Sequence, residues 1–216
     1  MSTNKSKIAV IGVGNIGKTV AANLVKGNRA VILASKNLND AKSLASELGS
    51  LATAMEVAAA MKEADIVVMA VWFSVMQELL VKYAAELQGK IIIDPSNPIA
   101  PDGNGGFKKI IGEKESAGQI IASLLPKGAK LVKALGTLGA GSLANATGRK
   151  PEAVLFYATD DNTINGKIEE LIKDSGFEPV NVGKIDQSIR IEVFGDLHEF
   201  GALGKTVSLA EAKAKV

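Results

Sequence analysis

The sequence is short of the side chains that most often carry catalysis, because it has no cysteine and one histidine in 216 residues. The lack of cysteine excludes disulfides, thiolate nucleophiles and cysteine metal sites, and it suits a reducing compartment. The one histidine, His198, is followed by Glu199 but not by a second histidine at the spacing of a zinc-binding helix, so no metal site is expected. We expect His198 to be a partly exposed residue. No G-x-S-x-G turn occurs either, so we identify no catalytic side chain.

Strong charge and long apolar runs are also lacking. The net charge is +2 and no basic cluster occurs, so neither a nucleic acid nor a membrane is expected as a partner. The longest apolar run, Ile66–Phe73, is too short to cross a bilayer, and Met1–Lys7 is not followed by a signal-peptide core, so we expect a cytoplasmic protein. Aromatic residues make up 4% of the chain. A core of Ala, Val, Ile and Leu suits a parallel sheet covered by helices on both faces.

A glycine-rich stretch follows the first apolar run. Gly12, Gly14 and Gly17 have the spacing G-x-G-x-x-G between a predicted strand and a predicted helix. In a dinucleotide-binding turn the first glycine allows the tight turn, the second allows close approach of a pyrophosphate, and the third allows the helix to pack. The anion lies at the helix N-terminus, where backbone N–H groups are unpaired. The predicted pyrophosphate site comprises Gly12, Gly14, Asn15, Ile16 and Gly17.

Strand and helix patterns alternate along the chain, which predicts a Rossmann-type doubly wound α/β fold with a mainly parallel sheet. We assign residues 1–184 to an NADP-binding Rossmann-like domain. Residues 185–216 are predicted to be a mostly helical tail that packs on the crevice or on a dimer partner. The pattern also predicts helices at Ala41–Leu48, capped by Asn39 or Asp40, and at Val75–Leu87, and a flexible loop at Asp102–Gly106.

The end of the second predicted strand indicates which nucleotide binds. NAD-binding units carry an acidic residue there that accepts hydrogen bonds from the ribose. This chain has Ser35 and Lys36 instead, a hydroxyl and an ammonium that suit a 2′-phosphate. The alternative is that Lys36 is an ordinary solvated lysine. We therefore expect NADP rather than NAD.

Two further loops follow strands of the predicted sheet at the edge where ligands of open α/β sheets bind. After the strand that begins at Ile66, we expect Ala70, Val71 and Trp72 to border the nicotinamide ribose and Phe73 to contact the substrate. Either ring could instead pack on the next helix. Asn97 is a candidate to bind the cofactor amide or ribose, although an asparagine before proline often satisfies only its own turn.

A second glycine-rich turn follows the sixth predicted strand. Its glycine spacing differs from that of the first, so it does not indicate a second nucleotide site. We expect Gly136, Thr137 and Leu138 to face the nicotinamide side of the crevice and to hold the second redox partner. The alternative is a plain loop.

The poverty of acids, bases and nucleophiles fits hydride transfer between two planar cofactors, which needs alignment and exclusion of water more than a catalytic side chain. The chain resembles the F420-dependent NADP reductase family in five segments: Ile11–Lys18, Ala34–Lys36, Asp65–Trp72, Asp94–Pro98 and Lys133–Leu138. The resemblance implies an NADP-binding Rossmann domain and a short C-terminal part that caps the crevice and often dimerises. It also implies hydride exchange between NADPH and a deazaflavin, with Ser35 and Lys36 at the 2′-phosphate and residues 136–138 near the deazaflavin ring.

One residue departs from this family pattern. Gly136 stands where F420-using members commonly have histidine, so FMN and FAD remain candidate acceptors in addition to F420. The sequence therefore predicts a homodimeric oxidoreductase that transfers hydride between NADPH and a flavin or deazaflavin. Two alternatives stay open: an NADPH-dependent reductase of a small carbonyl or imine, and a non-catalytic NADP sensor.

Overall fold

A computed structural model describes residues 5–216. Residues 1–4 lie outside the described residues. They belong to the predicted domain 1–184 and to the segment Met1–Lys7 that was examined for a signal peptide. The strands are β1 (Ile8–Ile11), β2 (Val31–Ala34), β3 (Ala52–Ala54), β4 (Ile66–Met69), β5 (Ile91–Asp94), β6 (Ile99–Pro101), β7 (Phe107–Lys109), β8 (Lys130–Lys133), β9 (Val154–Thr159) and β10 (Glu178–Asn181). The helices are α1 (Asn15–Lys26), α2 (Leu38–Leu48), α3 (Val57–Glu63), α4 (Phe73–Lys82), α5 (Ala117–Ala122), α6 (Ala140–Asn145), α7 (Asn165–Asp174), α8 (Ser188–Ile191) and α9 (Leu209–Lys213), with 3-10 turns at Asn162–Ile164 and Ile185–Gln187.

Eight strands form one sheet in the order β3-β2-β1-β4-β5-β8-β9-β10. The first six of these strands are parallel, β9 runs antiparallel to β8, and β10 is parallel to β9. The chain moves from β1 outward to β3 and then returns to place β4 on the other side of β1. Such a reversal opens a crevice beyond the carboxyl ends of β1 and β4, which is where open α/β sheets bind ligands. The predicted doubly wound, mainly parallel fold is confirmed.

The core lies on both faces of this sheet and is mostly aliphatic, as the composition predicts. Successive residues of β1 face opposite sides, so Val10 belongs to one buried cluster with Leu24, while Ile11 belongs to a second with Met76. Residues Ile8–Ile11 are all buried. The carboxyl end of β1, which leads into the glycine turn, is therefore packed against side chains on both faces of the sheet.

Several predicted boundaries are wrong. Asn37, rather than Asn39 or Asp40, caps α2, because its side chain accepts a hydrogen bond from the backbone N–H of Asn39 at 3.1 Å. Helix α4 begins at Phe73, two residues earlier than predicted, because Trp72 has the extended backbone of an N-cap, and the helix ends at Lys82. These shifts place the predicted phosphate contacts and Trp72 at helix N-termini.

The segment that follows β5 forms a hairpin rather than only the predicted loop. Strands β6 and β7 pair antiparallel, with Pro101 opposite Phe107. The Asp102 carboxylate accepts hydrogen bonds from the backbone N–H groups of Asn104 at 2.7 Å and Gly106 at 2.9 Å, which lowers the Asp102 pKa and orders the turn.

The C-terminal residues are mostly irregular rather than mostly helical, since α8 and α9 have four and five residues. Buried Glu192 fastens this segment to α5 through its carboxylate. One oxygen accepts from the backbone N–H of Ala117 at 2.9 Å, and the other accepts from that of Gly118 at 2.8 Å and from the Ser116 hydroxyl at 3.0 Å. Within residues 5–216, no helix has both the length and the apolar character needed to cross a membrane.

Candidate functional site

The glycine turn closes tightly over the carboxyl end of β1. Gly12 has φ = 94°, a conformation that favours glycine, and its N–H donates to the carbonyl oxygen of Ala34 at 2.8 Å. A Cβ on Gly12 would lie closer than 3.0 Å to the carbonyl oxygen of Ala70 and 2.9 Å from Cγ1 of Val71. The turn is therefore enclosed between β2 and the segment after β4, and position 12 has no room for a side chain.

Gly14 and Gly17 differ in the space around them. No atom lies within 4 Å of a Cβ built on Gly14, whereas a Cβ on Gly17 would overlap the carbonyl oxygen of Gly12. Gly14 is the N-cap of α1, and the first intrahelical hydrogen bond runs from Lys18 N to Gly14 O at 2.9 Å. The preceding N–H groups have no partner within the helix, and the first turn carries no acidic residue. This open, anion-favouring helix end fits a pyrophosphate.

Ser35 and Lys36 follow β2 directly beside this turn. Ser35 is half-buried and Lys36 is exposed. Within residues 5–216, Lys36 takes part in none of the ion pairs. A hydroxyl and an unpaired ammonium thus adjoin the glycine turn at the place where a 2′-phosphate would lie.

The segment after β4 borders the crevice, but its two aromatic residues differ. Ala70 and Val71 contact Gly12, as described above, and the Trp72 side chain is 55% exposed. Phe73 is 5% exposed and its side chain packs in the core with Met76. The burial of the Phe73 ring matches the alternative in which a ring packs on the next helix, whereas the Trp72 ring stays exposed at the N-terminus of α4.

The Asn97 side chain makes two hydrogen bonds that the sequence did not predict. Its Nδ2 donates to the carbonyl oxygen of Gly136 at 3.1 Å, and its Oδ1 accepts from the backbone N–H of Val193 at 2.7 Å. The side chain therefore joins the loop after β5 to the loop after β8 and to the C-terminal segment. Both bonds reach distant parts of the chain, whereas an asparagine before proline often bonds within its own turn.

Gly136, Thr137 and Leu138 lie at the carboxyl edge next to Asn97, but their surroundings differ. A Cβ on Gly136 would overlap the carbonyl oxygen of Pro95, so this position accepts no side chain. The hydroxyl of buried Thr137 has no hydrogen-bond partner in the structure, and an unpaired buried hydroxyl is uncommon. Leu138 is 3% exposed and belongs to the core, so its side chain does not line the crevice.

A buried ion pair beneath this loop was not predicted. Asp94 and Lys133 end neighbouring strands β5 and β8 in direct register, and Lys133 Nζ lies 2.9 Å from Asp94 Oδ2. Lys133 also donates to the carbonyl oxygen of Ser96, and Asp94 Oδ1 accepts from the backbone N–H of Ser96 at 2.7 Å. Opposite charges at the carboxyl ends of two strands with apolar centres are the signal in the sequence that could have revealed the pair.

His198 is buried at the same place, contrary to the expected exposure. Its Nε2 lies 2.9 Å from the carbonyl oxygen of Gly136, and its Nδ1 accepts from the backbone N–H of Phe200 at 3.0 Å. Because a carbonyl only accepts, Nε2 carries the proton and the ring is neutral. The pKa of His198 is lowered to about 4, chiefly by burial and less by the charge of Lys133, against the raising effect of the Gly136 bond.

With this geometry established, comparison with known proteins identifies the nucleotide-binding half. Residues 7–98 match the family described as NADP oxidoreductase, coenzyme F420-dependent. The matched residues make up less than half of the chain. The match runs from β1 through the loop after β5 and includes the glycine turn, Ser35, Lys36 and Trp72. The resemblance to this family that was drawn from the sequence is thereby confirmed over these residues.

Individual relatives extend the likeness along the chain. A hypothetical protein from Sinorhizobium meliloti is 26% identical, with a TM-score of 0.81 over 96% of this chain and 97% of that one. A putative F420-dependent NADP-reductase from Arthrobacter sp. FB24 is 23% identical, with a TM-score of 0.72 over 84% of this chain and 86% of that one. The metalloreductase STEAP3 of Rattus norvegicus is 26% identical over 86% of this chain. The aligned region spans 36% of that rat protein, about a third of its length.

Proposed function

We propose that the protein transfers hydride between NADPH and a flavin or deazaflavin acceptor. The observation that carries the nucleotide half is the open face of Gly14 at the N-terminus of α1, located at the reversal in strand order. The backbone of residues 12–17 would bind the pyrophosphate, and Ser35 and Lys36 the 2′-phosphate. Ala70, Val71 and Trp72 would border the nicotinamide ribose.

The loop after β8 would form the acceptor side of the crevice. Half-buried Gly136 carries no side chain and would offer its backbone there, whereas the Thr137 hydroxyl lies beneath the loop surface, since Thr137 is 2% exposed. Asn97 would act by positioning this loop rather than by touching the cofactor, since its amide is bonded to Gly136 and Val193. When bound, NADPH supplies a hydride and becomes NADP⁺, and the acceptor takes up that hydride with one proton.

The arrangement of charged groups favours this function over reduction of a small ketone or imine. Such a reductase needs a side chain that delivers a proton. Of the titratable side chains at this edge, Lys133 is buried against Asp94, both ring nitrogens of His198 are hydrogen-bonded, and the Glu199 carboxylate accepts from the Ser142 hydroxyl at 3.0 Å. Transfer between two cofactors needs no such donor from the protein.

The first experiment is calorimetric titration with NADPH and NADH, followed by anaerobic assays of NADPH oxidation. Separate assays would contain F420, FMN, FAD or riboflavin, and a further set would contain small ketones and imines. Tight NADPH binding with turnover of a flavin or F420 supports the proposal. Turnover of ketones or imines alone would favour the reductase alternative, and binding without turnover of any acceptor would favour the sensor.

Two expectations about the cellular state belong to this proposal. A homodimer is expected from the family resemblance, and sedimentation of the purified protein would test it. A cytoplasmic location is expected from the sequence, and fractionation of cells that express the protein would test that.

A further inference from the structure

Exposed apolar side chains gather beside the crevice. Trp72 is 55% exposed, Phe107 51% and Ile110 45%, although large apolar side chains are mostly buried elsewhere in the described chain. Trp72 begins α4, while the other two belong to the hairpin segment after β5. We call these three residues the apolar patch. Contiguous exposed apolar surface of this kind commonly marks a binding site.

The two rings of the patch are close enough to act together. Their centroids are 6.5 Å apart and their planes are inclined by 42°, which is a tilted aromatic contact with part of each ring left free. A cleft of about 220 Å³ adjoins the Trp72 ring, and Ile110 and residues 99–101 of the hairpin segment line its other side. The cleft is smaller than the ~300–1,000 Å³ of typical ligand pockets, so it suits part of a ring system rather than a whole dinucleotide.

The patch is continuous with the nucleotide crevice. Trp72 directly follows Val71, whose Cγ1 would lie 2.9 Å from a Cβ on Gly12. The indole therefore projects from the same segment that closes over the glycine turn. A flat molecule on Trp72 would lie at the edge of the crevice, beside a bound nucleotide.

The hairpin presents its aromatic residue on an ordered support. Lys109 Nζ donates to the carbonyl oxygens of Glu113 at 2.9 Å and Glu115 at 2.8 Å, and the backbone N–H of Ile110 donates to Pro98 at 2.9 Å. These bonds hold the C-terminal end of β7, two and three residues after Phe107. An exposed ring on a fastened ribbon loses little conformational freedom when it stacks on a ligand.

We propose that Trp72 and Phe107 form the platform for the ring of the electron acceptor, which stacks on the indole and meets the inclined Phe107 ring at its edge. The ligand would be a flat, fused aromatic heterocycle of the isoalloxazine or deazaflavin type. This inference rests on the proposed function for the choice of ligand. Three side chains offer far less area than the roughly 800 Å² per partner of a stable protein interface, which favours a small ring over a second protein.

The test uses the one tryptophan of the chain as its own probe. Emission of Trp72 is recorded during titration with riboflavin, FMN, FAD and F420, without NADPH, and is corrected for light absorption with free N-acetyltryptophanamide. We expect saturable quenching, and we expect Phe107→Ala to weaken the apparent affinity about tenfold. Val81→Ala, which removes another exposed apolar side chain on the outside of α4, serves as the matched control and should leave the titration unchanged.

Steady-state kinetics provide a second readout. Phe107→Ala should raise KM for the acceptor while KM for NADPH stays unchanged, because Phe107 belongs to the hairpin and not to the glycine turn. Riboflavin carries no phosphate, so equal quenching by riboflavin and FMN assigns recognition to the ring and its ribityl chain rather than to the phosphate.

The inference and the proposed function can fail separately. Quenching that depends on Phe107, without NADPH oxidation by any acceptor, would support the platform and overturn the proposed function. Turnover with unchanged acceptor KM in Phe107→Ala, and no quenching, would overturn the platform alone. Trp72 emission that changes with protein concentration and follows a monomer–dimer equilibrium, but not ring ligands, would also overturn it and would assign the patch to self-association.

Discussion

Stability between pH 7 and pH 4.5 should depend on His198. The folded protein holds this imidazole neutral, with a pKa lowered to about 4 from 6.5, because the ring is buried beside the charge of Lys133. Protonation would remove the only acceptor function of the ring, which Nδ1 uses for the backbone N–H of Phe200. We therefore expect acid to act first on the C-terminal segment that carries His198.

The direction and size follow from the two pKa values. Between pH 6.5 and pH 4 the unfolded chain binds a proton that the folded chain does not, so stability falls as the pH falls through this range. The difference between 6.5 and about 4, at about 1.4 kcal/mol per pKa unit, comes to about 3 kcal/mol in total. Roughly 2 kcal/mol of this would be lost between pH 7 and pH 4.5. Asp161 and Glu211, whose pKa values are lowered to about 2, lose their contributions mainly below this window.

Urea denaturation at pH 7 and at pH 4.5 measures this loss, with ellipticity as the signal for unfolding. The matched variant is His198→Gln, whose amide can donate to Gly136 but does not titrate. We expect the variant to show about 2 kcal/mol less acid destabilisation than the parent, whatever its stability at pH 7. An identical pH dependence in the two proteins would refute the neutral, buried state of His198.

Three further outcomes test the nucleotide site and the C-terminal attachment. Gly14→Val should fold but bind neither NADPH nor NADH in calorimetry, because its side chain enters the open space of the pyrophosphate site, and retained binding in the folded variant would reject the site. Gly17→Ala should instead lower the unfolding midpoint, because its Cβ would overlap the carbonyl oxygen of Gly12. Lys36→Ala should weaken NADPH binding about tenfold and leave NADH binding nearly unchanged, with Lys167→Ala as the charge-matched control; equal losses of both nucleotides would remove Lys36 from the phosphate site. Glu192→Gln should lower the free energy of unfolding in urea by about 1–3 kcal/mol, because the amide NH₂ faces N–H donors at the start of α5, and an unchanged midpoint would contradict this.

The nucleotide half of the fold could be predicted because its signals are local. The apolar runs that become β1, β2 and β4 are separated by helical periodicity, and the glycine spacing fixes the first turn within six residues. The predicted helix starts differ from the observed ones where a capping residue, rather than the periodic pattern, sets the start of the helix, as at Asn37 and Trp72. The hairpin of β6 and β7 escaped prediction because each strand has three residues, too few for alternation to be visible.

The loop after β8 and its surroundings could not be predicted to the same depth, because their contacts join distant parts of the chain. Asn97 meets Gly136, which is 39 residues away, and Val193, which is 96 residues away. His198 meets the same carbonyl across 62 residues. A histidine in a glycine-interrupted segment gives no sign that it is buried, and asparagine before proline is common in turns that bind nothing. The residue types in this loop were identified, but their roles depend on the C-terminal segment.

Gly136 shows how the two halves of the crevice differ. Its lack of a side chain has a local steric cause, because a Cβ would overlap the carbonyl oxygen of Pro95. Leu135, just before it, has φ = 65°, a conformation that costs a branched residue of order 1–3 kcal/mol and persists only where the surroundings hold it. Asn97 and His198 supply that restraint through the Gly136 carbonyl. The nucleotide turn is thus determined by its own glycines, whereas the shape of the acceptor loop depends on a segment that ends the chain, so changes in that segment should alter acceptor use while NADPH affinity is retained.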